Sequence, residues 1–145
     1  METPCRLLIV EDNPADVLFL KRAIREQNLD VIVDVAEDGE QAIRHLEDCP
    51  EDRRPHVIVI DIDLPKRDGI EVLHKCRFTP ALADSKILLF TGSAAGRDLL
   101  RAEMIGVDAY LRKPDQLDDF APVVETIREL LKKTDCETVA ETGTA

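Results

Sequence analysis

Short apolar segments alternate with longer amphipathic stretches along the chain. The apolar segments are rich in Val, Ile and Leu and predict five buried strands, at residues 5–10, 31–36, 57–60, 86–90 and 109–111. The stretches that follow them repeat apolar residues every three or four positions, which predicts five helices at residues 14–27, 39–47, 69–76, 95–105 and 117–132. Strict alternation of strand and helix is typical of an α/β fold, a doubly wound parallel sheet with helices on both faces.

The composition fits one acidic domain with an aliphatic core. The chain has 145 residues, no tryptophan and a formal net charge of −11, so direct binding to nucleic acid or to an anionic membrane is not expected. No apolar run is long enough for a signal peptide or a membrane span, which predicts a cytoplasmic protein. The last residues carry acids and no base, so we assign residues 1–133 to the domain and expect residues 134–145 to form a disordered tail.

The four cysteines show neither a CxxC pair nor a spacing to histidine that suits zinc. We therefore expect Cys5, Cys49, Cys76 and Cys136 to be isolated reduced thiols, as is usual in an intracellular protein. Neither metal binding through sulfur nor a disulfide bond is predicted.

Polar residues capable of chemistry lie where the predicted strands end. Glu11 and Asp12 follow the first strand, Asp61 the third, Thr91 the fourth and Lys113 the fifth. Ligands of open parallel sheets bind at the carboxyl ends of the strands, where the strand order reverses. If the order is 2-1-3-4-5, this reversal lies between the first and third strands, and these residues are expected to form one pocket.

Three carboxylates in one pocket repel one another. At about 4 Å and an effective dielectric constant near 20, each pair costs roughly 4 kcal/mol, so the cluster must be protonated, neutralised by Lys113 or built to hold a cation. Mg²⁺ suits such oxygen ligands and, once bound, lets a carboxylate accept a phosphoryl group. Asp61 is then the predicted nucleophile, on a rigid strand end. Asp63 lies where the chain turns, and its backbone carbonyl is expected to be a metal ligand.

Several segments together resemble the receiver domain of response regulators, the phosphoacceptor module of two-component signalling. They are LLIVEDNPAD, VIVIDIDLPKRDG, LLFTGSAAG and GVDAYLRKPDQL, which occur in the family's order over about residues 6–132. The resemblance implies a flavodoxin-like receiver fold with the strand order 2-1-3-4-5 and five helices. Within the family, EDNPAD, the charged loop before the third strand and KPDQLDDF are most similar to small stand-alone regulators associated with phytochromes. This likeness makes a bacterial phytochrome a candidate kinase.

The resemblance also implies roles for the site residues. Asp61 is the phosphoacceptor, and the acidic pair belongs to the magnesium site, Asp12 directly and Glu11 through water. Thr91 and Lys113 contact the phosphoryl oxygens.

Further roles follow from the same resemblance. Gly92 corresponds to the small residue that leaves room for the phosphodonor. Tyr110 corresponds to an aromatic switch residue that responds to Thr91. The bond between Lys113 and Pro114 corresponds to a peptide bond that is usually cis in the family.

The predicted protein is a single-domain response regulator that receives its phosphoryl group from a sensor histidine kinase. It is not expected to be an enzyme beyond self-phosphotransfer and autodephosphorylation. Output is expected through a partner-binding or homodimer surface formed by the fourth helix, the fifth strand and the fifth helix, with Leu99, Leu100 and Val107 as aliphatic contacts.

Two alternatives stay open. The D-x-D end of the third strand also resembles that of haloacid-dehalogenase-type phosphohydrolases, although those enzymes have this motif near the N-terminus, ahead of the acidic pair. The other alternative is an interaction module that no longer takes phosphate. The intact set of acids, threonine and lysine argues against that second alternative.

Overall fold

The structure is a computed structural model that describes residues 3–64, 68–92, 96–114 and 119–136. Its strands are β1 (Arg6–Val10), β2 (Ile32–Ala36), β3 (Val57–Ile60), β4 (Lys86–Thr91) and β5 (Ala109–Arg112). They form a parallel sheet in the order β2-β1-β3-β4-β5. Its α-helices are α1 (Pro14–Glu26), α2 (Gly39–Glu47), α3 (Gly69–Arg77), α4 (Gly96–Ile105) and α5 (Ala121–Leu131). The fold class and the strand order predicted from the sequence are confirmed.

Alternate strand residues point to opposite faces of the sheet, and each face has its own apolar core. On one face, strand residues such as Leu8 and Ile60 pack against residues of α2, α3 and α4. On the other face, Leu7 and Val59 pack against residues of α1 and α5. Because the central strands are buried on both faces, their sequences are almost continuously apolar, and polar residues appear only where the strands end.

Three helices that follow strands begin with a side-chain cap. The side chain of Asn13 accepts a hydrogen bond from the backbone N–H of Ala15 at 2.9 Å, and Pro14 occupies the first helical position of α1. Asp38 caps α2 and Asp68 caps α3 in the same way. These caps fix where each helix begins and so keep the loops at the carboxyl edge of the sheet short.

Two predicted helix boundaries fall at or near positions outside the described residues. The predicted starts at Ala95 and Leu117 lie in the gaps at 93–95 and 115–118. Asp119 and Phe120 are described and are not helical, so α5 begins at Ala121, four residues after the predicted start. Pro122 at the beginning of α5 fits this boundary, because proline lacks the N–H that later helical positions need.

The prediction of isolated thiols was wrong for one pair of cysteines. Cys5, just before β1, and Cys136, five residues after the end of α5, form a disulfide bond with a Cα–Cα distance of 4.8 Å. Cys49 and Cys76 are free. Residues 134–136 are therefore tied to the body of the domain. Residues 137–145, the rest of the expected tail, lie outside the described part, and the boundary at residue 133 stays a prediction.

The surface expected to dock a partner differs in detail from the prediction. Leu99 and Val107 pack against the core, whereas Leu100 is 58% exposed and Met104 is 83% exposed. Tyr110 on β5 is 42% exposed. Among the described residues, no helix has the length and apolar character needed to cross a bilayer.

Candidate functional site

The carboxyl edge of the sheet brings the predicted site residues together. Glu11 follows β1, Asp61 follows β3 and Lys113 follows β5. Backbone hydrogen bonds continue the sheet through these positions. Glu11 N–H donates to the carbonyl of Ala36 at 3.0 Å, and Asp61 N–H donates to that of Val10 at 3.1 Å. The side chains of Glu11 and Asp61 are thus mounted on fixed backbone rather than on loops.

The carboxylates of Glu11, Asp12 and Asp61 form a compact acidic group. One oxygen from each lies within 4.8 Å of the others. Glu11 and Asp61 are buried, while Asp12 is exposed, so the group opens to solvent on one side. Oxygen donors at this spacing fit a hard divalent cation, because such cations take carboxylate ligands and retain bound water.

A single ammonium group is shared among several carboxylates in this site. Lys113 Nζ lies 2.6 Å from Glu11 Oε1, 2.8 Å from Asp16 Oδ2 and 2.9 Å from Asp61 Oδ2. The other oxygen of Asp61 accepts a hydrogen bond from the backbone N–H of Asp63 at 3.1 Å. An ammonium has three N–H donors, so each donor of Lys113 meets a different carboxylate.

Burial and charge shift the pKa values of this site strongly. Burial, assisted by the charge of Asp61, raises the pKa of Glu11 from its ordinary value of 4.5 to about 7, although Lys113 acts in the opposite direction. Burial alone would lower the pKa of Lys113, but hydrogen bonds to Asp16, Glu11 and Asp61 outweigh it and raise that pKa. The lysine therefore stays charged, whereas Glu11 titrates near neutral pH in the absence of a cation.

Thr91 and Gly92 lie at the end of β4 beside Lys113, and the first is buried while the second is exposed. Thr91 is fully buried, and its Oγ1 atom has no hydrogen-bond partner among the described residues. A buried hydroxyl without a partner is costly, so Oγ1 of Thr91 still has a donor to offer to a further acceptor. Gly92 is exposed, and a Cβ built on it would come no closer than 3.7 Å to Lys113. A methyl group at this position would therefore make an ordinary van der Waals contact with the stem of Lys113.

The remaining predicted residues lie at the margin of the site. Asp63 is exposed on the turn after β3, and the role expected for its backbone carbonyl stays a prediction. Tyr110 is on β5, two residues before the end of that strand. The isomer of the bond between Lys113 and Pro114 could not be predicted from the sequence, and in this structure the bond is trans, because no peptide bond in the described segments is cis.

Gly69 holds the loop after β3 close to the start of α3. Its N–H donates to the carbonyl of Ile62 at 3.0 Å, and a Cβ at this position would lie 2.1 Å from the carbonyl oxygen of Asp61. Only glycine permits this approach, so the D-G pair before α3 helps to fix the backbone of Asp61.

Within the described segments, Asp16 is the one acid in contact with Lys113 that was not predicted from the sequence. It is 8% exposed and shares the buried face of α1 with Leu20 and Ile24, at intervals of four residues. An acid on the apolar stripe of a helix was the signal that could have revealed it, since a buried carboxylate needs a partner.

Comparisons with known proteins agree with this geometry. The family model described as the response regulator receiver domain matches residues 7–125. The chain is 32% identical over 130 residues to the probable methanogenesis regulatory protein FilR2 of Methanothrix harundinacea, covering 88% of this chain and 84% of that protein. It is 29% identical over 134 residues to the response regulator Rcp1 of Synechocystis, covering 90% of this chain and 91% of Rcp1.

Solved structures show the same likeness. The Mn²⁺-bound form of Rcp1 superposes with a TM-score of 0.77 at 29% identity, covering 87% of this chain and 93% of that one. The phosphorylated cyanobacterial phytochrome response regulator RcpA gives a TM-score of 0.80 at 27% identity, covering 90% of this chain and 96% of that one. The phosphohydrolase and phosphate-independent alternatives are not favoured by any of these matches. The chain belongs to the response regulator receiver family, whose members are signalling proteins of two-component systems.

Proposed function

We propose that this protein accepts a phosphoryl group on Asp61 from the phospho-histidine of a sensor kinase. A carboxylate oxygen of Asp61 attacks the phosphorus atom, and the P–N bond to the kinase histidine breaks. The leaving imidazole keeps the electron pair of that bond and takes up a proton. The observation that supports this most is the carboxylate of Asp61, which belongs to the acidic group and also lies 2.9 Å from the Lys113 ammonium.

Mg²⁺ is the cation that we propose for the acidic group. Glu11, Asp12 and Asp61 would hold it through their carboxylates, and Asp63 through its backbone carbonyl. When bound, the cation offsets the charge of the phosphoryl oxygens and of the acids around them. The acidic group itself supports this proposal, because several carboxyl groups face one ammonium and would repel an anionic donor.

The chain's own residues then hold the phosphoryl group. Lys113 and the hydroxyl of Thr91 donate hydrogen bonds to phosphoryl oxygens, and Gly92 leaves room for the donor. The unpartnered Oγ1 of Thr91 supports this role, because a phosphoryl oxygen would supply its missing acceptor. No residue beyond this set is needed, so we propose no enzymatic activity other than self-phosphotransfer and autodephosphorylation.

The similarity to RcpA supports a phytochrome-type histidine kinase as the phosphoryl donor. We propose that the two proteins meet in the cytoplasm. For output we propose the surface of α4, β5 and α5. Movement of Thr91 toward the phosphoryl group would vacate space into which Tyr110 turns, and this surface would change its affinity for a partner or for a second copy of the chain. The exposed side chains of Leu100, Met104 and Tyr110 give this surface apolar contacts.

The test is a labelling experiment on two neighbouring acids. Wild type, Asp61→Asn and Asp63→Asn are incubated with acetyl phosphate in Mg²⁺, in Ca²⁺ and in a chelator, and bound phosphoryl is counted by intact mass. We expect one phosphoryl group on wild type and Asp63→Asn in Mg²⁺ only. Asp61→Asn should take none, because its amide is not a nucleophile. Labelling of Asp61→Asn at the wild-type rate would refute the proposal.

A further inference from the structure

Asp16 lies beside the acidic group without belonging to it. Its carboxylate is 2.8 Å from Lys113 Nζ, its side chain is 10% exposed, and it is on α1 rather than on a strand end. The group whose oxygens converge within 4.8 Å consists of Glu11, Asp12 and Asp61. Asp16 is therefore a partner of the lysine and not a fourth ligand of that cluster.

The other carboxylate partners of Lys113 have a second role. Glu11 and Asp61 both belong to the acidic group, so a cation bound there competes with the ammonium for their oxygens. A lysine side chain is a flexible four-carbon stem, and a strongly hydrated ammonium without a partner would return to solvent. Among the described residues, Asp16 is the carboxylate contact of Lys113 that does not belong to the acidic group and so does not take part in that competition.

We propose that Asp16 is a positioning residue that holds Lys113 at the site while Glu11 and Asp61 engage a cation. One N–H donor stays on Asp16, and the two donors that the other carboxylates release face the phosphoryl oxygens. This inference rests on the proposed function, since it concerns how Lys113 is presented to the phosphoryl group. The proposal gives α1, through Asp16, a part in phosphoryl transfer, although the other proposed site residues follow strands.

A double-mutant cycle tests the proposal. The rate of labelling by acetyl phosphate at saturating Mg²⁺ is measured for wild type, Asp16→Ala, Lys113→Ala and the double variant. We expect Asp16→Ala to slow labelling about 10-fold in the wild-type background. In the Lys113→Ala background it should change the rate less than about twofold, because a residue that acts through a partner loses its effect with that partner. Equal slowing in both backgrounds, or none in wild type, would overturn the inference.

Controls separate positioning from folding and from simple charge. Asp16→Asn keeps the shape and an acceptor oxygen and should slow labelling only a few-fold, because a neutral acceptor binds an ammonium about half as strongly as a carboxylate. If Asp16→Ala does not fold, Asp16→Asn takes its place in the cycle, and a wild-type rate contradicts the inference. Glu40→Ala removes an exposed acid from the first turn of α2 and should leave the labelling rate at the wild-type value.

A second readout does not depend on labelling. The Nζ resonance of Lys113, followed by ¹⁵N NMR during Mg²⁺ titration, should stay in slow proton exchange in wild type and lose that protection in Asp16→Ala. If wild type takes no phosphoryl group at all, the proposed function fails. If wild type is labelled and Asp16→Ala is labelled as fast, with its Nζ still protected, only this inference fails.

Discussion

At the amino edge of the sheet one cation satisfies several acceptors, whereas at the carboxyl edge several acids share one cation. The guanidinium of Arg77 donates to the carbonyls of Gly106 and Ser85, both at 2.8 Å, and to Asp108 Oδ2 at 2.6 Å. Asp108 also accepts the N–H of Ile87 at 2.7 Å. At the opposite edge, Lys113 is the one cation among the described residues that contacts Glu11, Asp16 and Asp61.

The two edges differ in how donors and acceptors are matched, and we interpret the amino edge as stabilising the fold and the carboxyl edge as the candidate site. Each of the three guanidinium nitrogens of Arg77 donates a hydrogen bond, and Asp108 balances its charge, so that network ties α3 to the starts of β4 and β5. Within the part of the chain that the structure describes, three acids contact the ammonium of Lys113, and the buried hydroxyl of Thr91 has no hydrogen-bond partner. Such local conflicts are expected where a ligand completes the structure.

Breaking the balanced edge should have the largest effect on stability. Arg77→Ala removes three hydrogen bonds and leaves Asp108 without its cation, so we expect the free energy of unfolding to fall by about 3 to 4 kcal/mol. Urea denaturation measures this change. Arg25→Ala, which removes another arginine from the last turn of a helix, should cost less than about 1 kcal/mol.

The labelling rate per folded molecule should stay at the wild-type value in Arg77→Ala. A stability loss no larger than that of Arg25→Ala would mean that the amino edge is not the stabilising one. A fall in the labelling rate at full folding would mean that the two edges are not independent.

Removing a charge from the acidic group at the carboxyl edge should raise the free energy of unfolding, by a smaller amount that depends on pH. Between pH 4.5 and about 7 the folded state keeps the proton of Glu11 while the unfolded state has lost it. Stability of the metal-free protein therefore falls as pH rises through this window, by about 3 kcal/mol at most, at 1.36 kcal/mol per pKa unit. Glu11→Gln should remove that loss and be the more stable protein at pH 8.

Urea denaturation in a chelator at pH 5 and pH 8 measures the difference. Glu26→Gln, a change at an exposed acid at the end of α1, should keep the wild-type slope. Adding Mg²⁺ at pH 8 should return to the wild-type protein the stability that it loses in the chelator, since the cation binds the folded state. Parallel pH profiles for wild type and Glu11→Gln would show that burial of Glu11 carries no penalty.

Adding a methyl group at either of two glycines of the carboxyl edge should have the smallest effects on stability and labelling. Gly69→Ala would bring a Cβ to 2.1 Å from the carbonyl oxygen of Asp61, so the backbone must shift, at a cost of about 1 to 3 kcal/mol and with slower labelling. Gly92→Ala meets Lys113 at an ordinary 3.7 Å and should cost less than about 1 kcal/mol. Urea denaturation and labelling on both variants check this. Equal effects would contradict the proposed rigidity around Asp61.

Most of the strands, and the site residues at their ends, could be predicted from the sequence by the same pattern of apolar and polar residues. A strand buried on both faces excludes polar side chains until it ends, so an acid such as Asp61 marks both the boundary and the pocket. Asp16 escaped prediction because it is on a helix, where partners depend on how α1 packs. The pairing of Cys5 with Cys136 escaped for a similar reason, since residues 131 positions apart meet only through the complete fold.

That disulfide makes the segment from Cys5 to Cys136 a closed ring. The ring is joined at the amino edge. The five residues of β1 lie between Cys5 and Glu11, which places them roughly 20 Å apart at the rise of a parallel strand. Because the two cysteines are adjacent in space, a short peptide could join them in place of sulfur, and new chain ends could open in the exposed turn at Glu51–Arg53. Such a circular permutant would keep both sheet edges intact, with the order of elements along the chain changed and their order in the sheet preserved.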